Sequence, residues 1–400
     1  MIKKKLCGIK AIVMVLNFML VIMNNLYAQN MMADDQSIRI IFPFLIDIDP
    51  MEKLLLVNFE KDPDSIYVGF EPQVFNDNVN GVGHIIIGWR TDKKVDVYHQ
   101  KSLNLDPSKY RIAGSGLNEM IPVDMDKAFY EVIDFGVQAH YKFKDVSGRV
   151  VEIAITESNS KKRKPFGLLA PMGDAATNPT SLPLVLLHDF YFVRKQHTEI
   201  TVSINNRSHK LDNLPMRMDW QKMTFARYSP KPLIATLNPE YSGVLEGFNV
   251  EIGQESFEKG DYFFELEWIN QQAHIKSMSL KNNIHLLTMN FLPSLPCLNT
   301  IPENTQMKGE FKISGHESVG SISGDYTIRS GKESTNISIV PTKGWNPKTT
   351  KFSTWFLFTV VKVFKKWPTT YQWDAELQKS PGGLWYMQSK WIRTGKILKN

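Results

Sequence analysis

The sequence predicts an all-β protein built from two successive antiparallel β-barrel or sandwich domains, with one amphipathic helix near the C-terminus. Three observations predict it. Runs rich in Ile, Val, Phe, Tyr and Thr recur about every ten residues from residue 36 onward. Turn clusters such as DPDS, NDNVNG and DVSG punctuate them, the rhythm of sandwiches and barrels rather than of alternating βα units. Four hundred residues is also more than a single hydrophobic core usually serves. About ten strand candidates precede SHKLDNLPMRMDW and about as many follow it, so the domains are expected at 29–212 and 213–400.

Residues 1–28 are a different material. MIKKKLCGIK carries four lysines and no acid, AIVMVLNFMLVIM is an apolar stretch, and Ala28 is a small residue after it. That order matches a secretory signal peptide, and the apolar stretch, about 20 Å as a helix, is shorter than a bilayer core. The sequence therefore predicts export to the periplasm, the outer envelope or the outside of the cell. Removing the four leader lysines takes the net charge from +6 to +2, too little to argue for nucleic acid. Cys7 leaves with the leader, so Cys297 is a lone cysteine and reads as a small buried apolar residue.

The strands are expected at IRIIFPFL, KLLLVNFE, SIYVGFE, HIIIGWR and KVDVYHQ, then at FGVQAHYKF and VVEIAI. In the last two, Phe135, Val137, Ala139, Tyr141 and Phe143 share one face and Gln138, His140 and Lys142 the other. After the turn, Val151, Ile153 and Ile155 rejoin the apolar side. The pattern resumes after residue 210 and continues through IHLLTMNFL, GEFKISG and TNISIV.

Two segments depart from it. Residues 161–183, with four prolines, form a connection long enough to be functional or mobile, either crossing the mouth of a barrel or lying as a packed surface loop. Residues 353–367 carry Phe356, Val360, Val363, Phe364 and Trp367 at helical spacing, with Lys362, Lys365 and Lys366 on another side and Pro368 ending the run. The β-branched run Thr359-Val360-Val361 keeps a strand reading open there.

Candidate chemistry centres on HDFYFVRKQHTEITVSI, residues 188–204. Strand alternation puts His188, Phe190, Phe192 and Arg194 on one face and Asp189, Tyr191 and Val193 on the other, which separates the His188–Asp189 pair. An apolar trough with a polar group at each end suits an amphiphile, so His188, Phe190, Phe192, Arg194 and His140 are the ligand-binding candidates. The return strand turns near Lys195–Thr198, leaving His197 solvated.

NDNVNG places Asn76, Asn78 and Asn80 as in a calcium loop, yet lacks its carboxylates and reads as a β-turn. The histidines have no zinc spacing, and no metal or cofactor is expected. Asp47 and Asp49 share a strand face and read as solvated.

Six of the nine tryptophans lie in residues 343–400 among eleven Lys/Arg and two acids. Trp355, Lys362, Lys365, Lys366 and Trp367 are therefore the candidates for an anionic membrane surface, the alternative being that the tryptophans are core.

The architecture is similar to tandem lipocalin-like barrels, including proteins similar to carotenoid hydratases. Their glycine-x-tryptophan signature is absent, because Gly88 and Trp89 are adjacent. The likeness is one of architecture and implies no activity. The expectation is an exported, non-catalytic protein binding an apolar or amphiphilic small molecule at a membrane surface. The alternatives are an isomerase- or hydratase-type enzyme using His188, Tyr191 or His140, and a surface interaction module.

Overall fold

The computed structural model describes residues 37–394, apart from 112, 173–175, 177, 283–284 and 350. The expected leader at 1–28 lies outside the described residues. The protein is all-β: strands make up 61% and helices 7%, so the helical C-terminal segment is an exception within a β framework.

Eleven strands form the largest sheet. Its main path runs through Ile46–Asp49, Pro232–Leu237, Leu182–Arg194, Gln221–Ser229, Lys53–Asn58, Tyr67–Asp77, Gly81–Arg90, Val95–His99 and Leu117–Pro122. Only the last pair is parallel. Strands from 213 to 237 thus belong to the same sheet as Lys53–Asn58, and the division expected at 212/213 does not coincide with a sheet boundary. The reason is that Leu182–Arg194 pairs Pro232–Leu237 with its first half and Gln221–Ser229 with its second.

A five-stranded sheet packs on one face of the large one. The hairpin read from sequence is its centre, with Val151 opposite Phe143, Ile153 opposite Tyr141 and Ile155 opposite Ala139. These side chains bury against Leu55, Val57, Phe70, Ile86 and Tyr98 of the large sheet, making a sandwich core. Phe135, expected in that row, is exposed, because the strand begins at Gly136.

The sandwich is clamped by a buried ion pair. Arg194 Nε donates to Glu157 Oε1 at 2.6 Å, and its Nη2 donates to the Phe135 carbonyl at 2.6 Å. Both side chains are almost fully buried. The same guanidinium holds the Lys161 carbonyl, which fixes where the 161–183 connection departs.

A ten-stranded antiparallel meander, from Ser256–Lys259 at one edge to Tyr241–Leu245 at the other, makes up most of the second half. Its apolar face is filled by the protein itself. Phe44 stacks on Phe291 at 5.4 Å and meets Trp373 at 5.3 Å, while Phe42 sits edge-on to Phe264 at 5.3 Å. Trp345, Trp367, Trp373, Trp385 and Trp391 are all buried there; of the six C-terminal tryptophans only Trp355 is exposed. Ser37–Ile41 also pairs with Gly247–Glu251, tying the two halves together.

The expected single helix at 353–367 is two. Helix α1 spans Phe352–Val360 and α2 spans Lys362–Lys366, with Val361 extended at φ −79°, ψ 107° between them. The β-branched run that kept a strand reading open is where the helix breaks. No helix among the described residues is long and apolar enough to cross a membrane.

Breaking the buried pair tests the clamp. Arg194→Met should cost about 3–5 kcal/mol, because it strands a buried carboxylate. Adding Glu157→Gln should recover a good part of that. Urea unfolding of both variants checks it, and a double variant no better than the single would refute the clamp.

Candidate functional site

The long strand Leu182–Arg194 faces two environments, and its alternation decides which side chain goes where. Val185 and Leu187 point to one side of the large sheet, and so do Phe190 and Phe192. That set breaks strict period two. Phe166 pairs with Phe190 and Leu168 with Leu187, so His188 and Asp189 together oppose Gly167. This β-bulge resets the alternation. Gly167 is required at that point, since a Cβ there would lie 2.0 Å from the Ser318 carbonyl oxygen.

The bulge corrects two expectations. His188 and Asp189 do not face opposite sides: His188 Nε2 lies 3.6 Å from Asp189 Oδ2. Nor do His188 and Arg194 share the face of Phe190 and Phe192. His188 stacks on His316 at 4.8 Å and meets His285 edge-on at 5.3 Å. Burial lowers the pKa of both His188 and His285, the latter to about 4, so these two are neutral at pH 7. No group of His, Cys, Asp and Glu among the described residues is arranged to hold a metal ion. Arg194 goes to the sandwich, because a second irregularity separates Phe192 from Arg194 in the register. His140 lies on the outer face of the five-stranded sheet, 2.9 Å from Glu152, away from the trough. His197 is exposed at a turn, as expected.

Phe190 and Phe192 wall a cavity of about 1230 Å³. This exceeds the roughly 300–1,000 Å³ of common small-molecule sites. Large-sheet strands form its floor through Leu54, Leu56, Ile87, Val185 and Ile234. Phe166, Leu168, Ala170, Pro171 and Met172 of the 161–183 connection cover one side, and Leu357 of α1 with Val363 and Phe364 of α2 cover another. Within that connection Phe166–Ala170 is itself a strand, hydrogen-bonded to Leu182–Arg194 at the edge of the cavity.

Polar groups are few, and the sequence reading missed the principal ones. Glu71 and Gln73 project from Tyr67–Asp77, and Arg227 projects from Gln221–Ser229 on the same side. Arg227 pairs in register with Leu56, whose strand separates it from the one bearing Glu71. Gln73 Nε2 donates to Glu71 Oε1 at 2.8 Å and Trp89 Nε1 to Glu71 Oε2 at 3.0 Å. Burial nevertheless pushes the Glu71 carboxyl up to about 7. Arg227 Nη1 donates to Asn58 Oδ1 at 2.7 Å and to the Phe225 carbonyl at 3.0 Å. Its burial lowers it to about 10, still a cation at neutral pH.

A second polar group sits elsewhere on the wall. Asp49, raised to about 6 by burial, lies near the Asp47–Lys109 ion pair of 3.2 Å and Tyr110. Asp47 is exposed as expected, whereas Asp49 is half-buried rather than solvated. No histidine lines the cavity among the described residues. At 76–81, Asp77 Oδ1 accepts from the amides of Val79 and Asn80, both at 2.7 Å, which is the expected turn.

Comparison with known protein families, curated proteins and solved structures finds no match. The site must be read from its own geometry.

The two helices have an outer side as well. Phe352, Trp355, Phe356 and Val360 are exposed, Phe352 lying 5.6 Å from Trp355 and 6.3 Å from Phe356. Lys362, Lys365 and Lys366 are exposed beside them. Trp367, expected on that surface, is fully buried in the core. One residue joins unexpectedly. Trp220 is 92% exposed at a two-residue turn with positive φ at both Asp219 and Trp220, a place where Gly or Asn is usual. Asp219 Oδ1 bonds Lys351 Nζ at 3.2 Å, which ties that turn to the start of α1.

Glu71 gives a test through pH. Its folded pKa lies above the ordinary 4.5, so the stability it lends is whole below that value and is lost as pH rises through about 7. Glu71→Gln should match the parent near pH 5 and exceed it by about 1–3 kcal/mol at pH 8.5. Chemical denaturation at the two pH values reads this, and a difference independent of pH would contradict the burial of an ionisable group there.

Proposed function

We propose that this protein is an exported carrier that holds an apolar or amphiphilic small molecule in the cavity and meets an anionic membrane surface through the helices that cover it. The observation that carries the reading is the two-sidedness of α1 and α2. Their inner side walls an apolar cavity, and their outer side presents aromatic rings and three lysines to solvent. Aromatic rings half-immersed at a water–lipid boundary, with cations beside them, are the chemistry of interfacial binding. A cover that touches lipid on one side and cargo on the other supplies a route between them.

Phe190 and Phe192 keep their proposed ligand-binding role as walls. The remaining candidates, His188, Arg194 and His140, lie outside the cavity. An enzymatic reading is favoured by one observation: Glu71 titrates near neutrality inside the cavity, as a general acid or base must. His188, Tyr191 and His140 would not take part.

Binding of Nile red, an uncharged apolar dye, tests the cavity. The parent should bind it with a blue-shifted emission, and Leu56→Trp combined with Ile234→Trp should weaken binding at least about tenfold by occupying the space. Undiminished binding would remove the cavity as the site.

The surface is tested by flotation with vesicles containing anionic phospholipid. Charge reversal of Lys362, Lys365 and Lys366 to Glu, or Trp355→Ser with Trp220→Ser, should abolish co-flotation while leaving dye binding intact. Unchanged flotation would exclude the helices as the contact.

A further inference from the structure

Arg227 is a cation without a carboxylate partner at the wall of an apolar cavity. Among the described residues its hydrogen bonds go only from Nη1, to Asn58 and the Phe225 carbonyl. The Nε and Nη2 edge has no acceptor there. Gln73 is 4% exposed, and its buried Oε1 has no hydrogen-bond partner. Unpaired this deep, Gln73 Oε1 costs free energy unless something else satisfies it, while the partly accessible Arg227 fork is open to the cavity. The side-on pair of N–H groups at Nε and Nη2 is the fork that a carboxylate accepts through both oxygens.

We propose that the cavity takes a long-chain carboxylic acid, its carboxylate bound side-on by Arg227, with Glu71 protonated in the complex. This rests on the carrier reading above and narrows it to one class of ligand. Proton uptake at Glu71 follows from the arrangement, because a second anion beside it penalises its charged form. It also frees a donor. With Glu71 neutral, its O–H can donate to Gln73 Oε1, and the Gln73 amide then turns its N–H2 toward the bound carboxylate.

The neighbours of Glu71 permit this. Gln73 and Trp89 bond it, Arg227 is the cation acting on it, and Tyr110 is the nearby phenol. Of the other charged groups on the wall, Lys109 is paired with Asp47 beside Asp49, and Arg90 with Asp92 and Asp96. Glu60 and Lys93 complete the set. Burial raises Asp49 to about 6 and Glu71 to about 7.

The experiment compares cis-parinaric acid with its methyl ester, by fluorescence titration of the full chain from pH 5.5 to 8.5. The acid should bind at least about tenfold more tightly than the ester at pH 6.5, and its affinity should fall as pH rises through 7. Arg227→Met should erase the preference while the ester binds as before, and Arg227→Lys should restore it only in part. Glu71→Gln should flatten the pH dependence. Equal affinity for acid and ester, unchanged in Arg227→Met, would overturn the carboxylate assignment and leave the carrier reading standing. A folded protein that bound neither probe would overturn both.

Discussion

The arrangement depends on a two-for-one pairing in the longest strand of the large sheet. His188 and Asp189 together oppose Gly167, and this single extra residue decides which side chains meet the cavity. Without it, strict alternation from Val185 and Leu187 would bring Asp189 and Tyr191 to the cavity and send Phe190 and Phe192 toward the sandwich. The bulge instead gives each core its own aromatics: Phe190 and Phe192 to the cavity, Tyr191 stacked on Tyr228 at 5.2 Å at the sandwich. Gly167 makes the pairing possible by letting the Glu317–Val319 turn approach its backbone.

The same strand explains why its two sides differ in packing. Its first half faces the packed apolar face of the ten-stranded sheet through Leu184 and Leu186, where Phe42 and Phe44 already fill the interior. Its other side looks into the cavity, which described residues of the 161–183 connection and the two short helices help to cover. A large apolar void left uncovered would be costly, so elements from distant parts of the chain converge on it. The aromatic outer side of α1 is the cost of that cover.

Much of the fold was legible in the sequence, because alternation is a local signal. The hairpin from Gly136 to Glu157, the turn at His197 and the helical C-terminal segment all follow from short windows. Phe190 and Phe192 were visible as paired aromatics. The bulge was not, since it depends on a partner strand about twenty residues upstream. Arg227 and Glu71 were missed for another reason. Polar residues alternating with apolar ones read as solvent-facing, and in KMTFARY and SIYVGFE that alternation instead marks a buried second face. A lone charge flanked by aromatic and aliphatic residues on a strand buried on both sides was the available signal. The tryptophans divide between the two readings left open: five of the six are core, Trp367 among them, and Trp355 stays on the surface.

The central claim is that the cavity is a place for cargo. Native mass spectrometry of the protein, released without detergent from the cells that make it, addresses this most directly. The account predicts an adduct of a few hundred daltons that organic solvent extracts and that disappears when the walls are filled with tryptophan. A folded protein running at its bare chain mass, unchanged after incubation with a total lipid extract from the same cells, would contradict it.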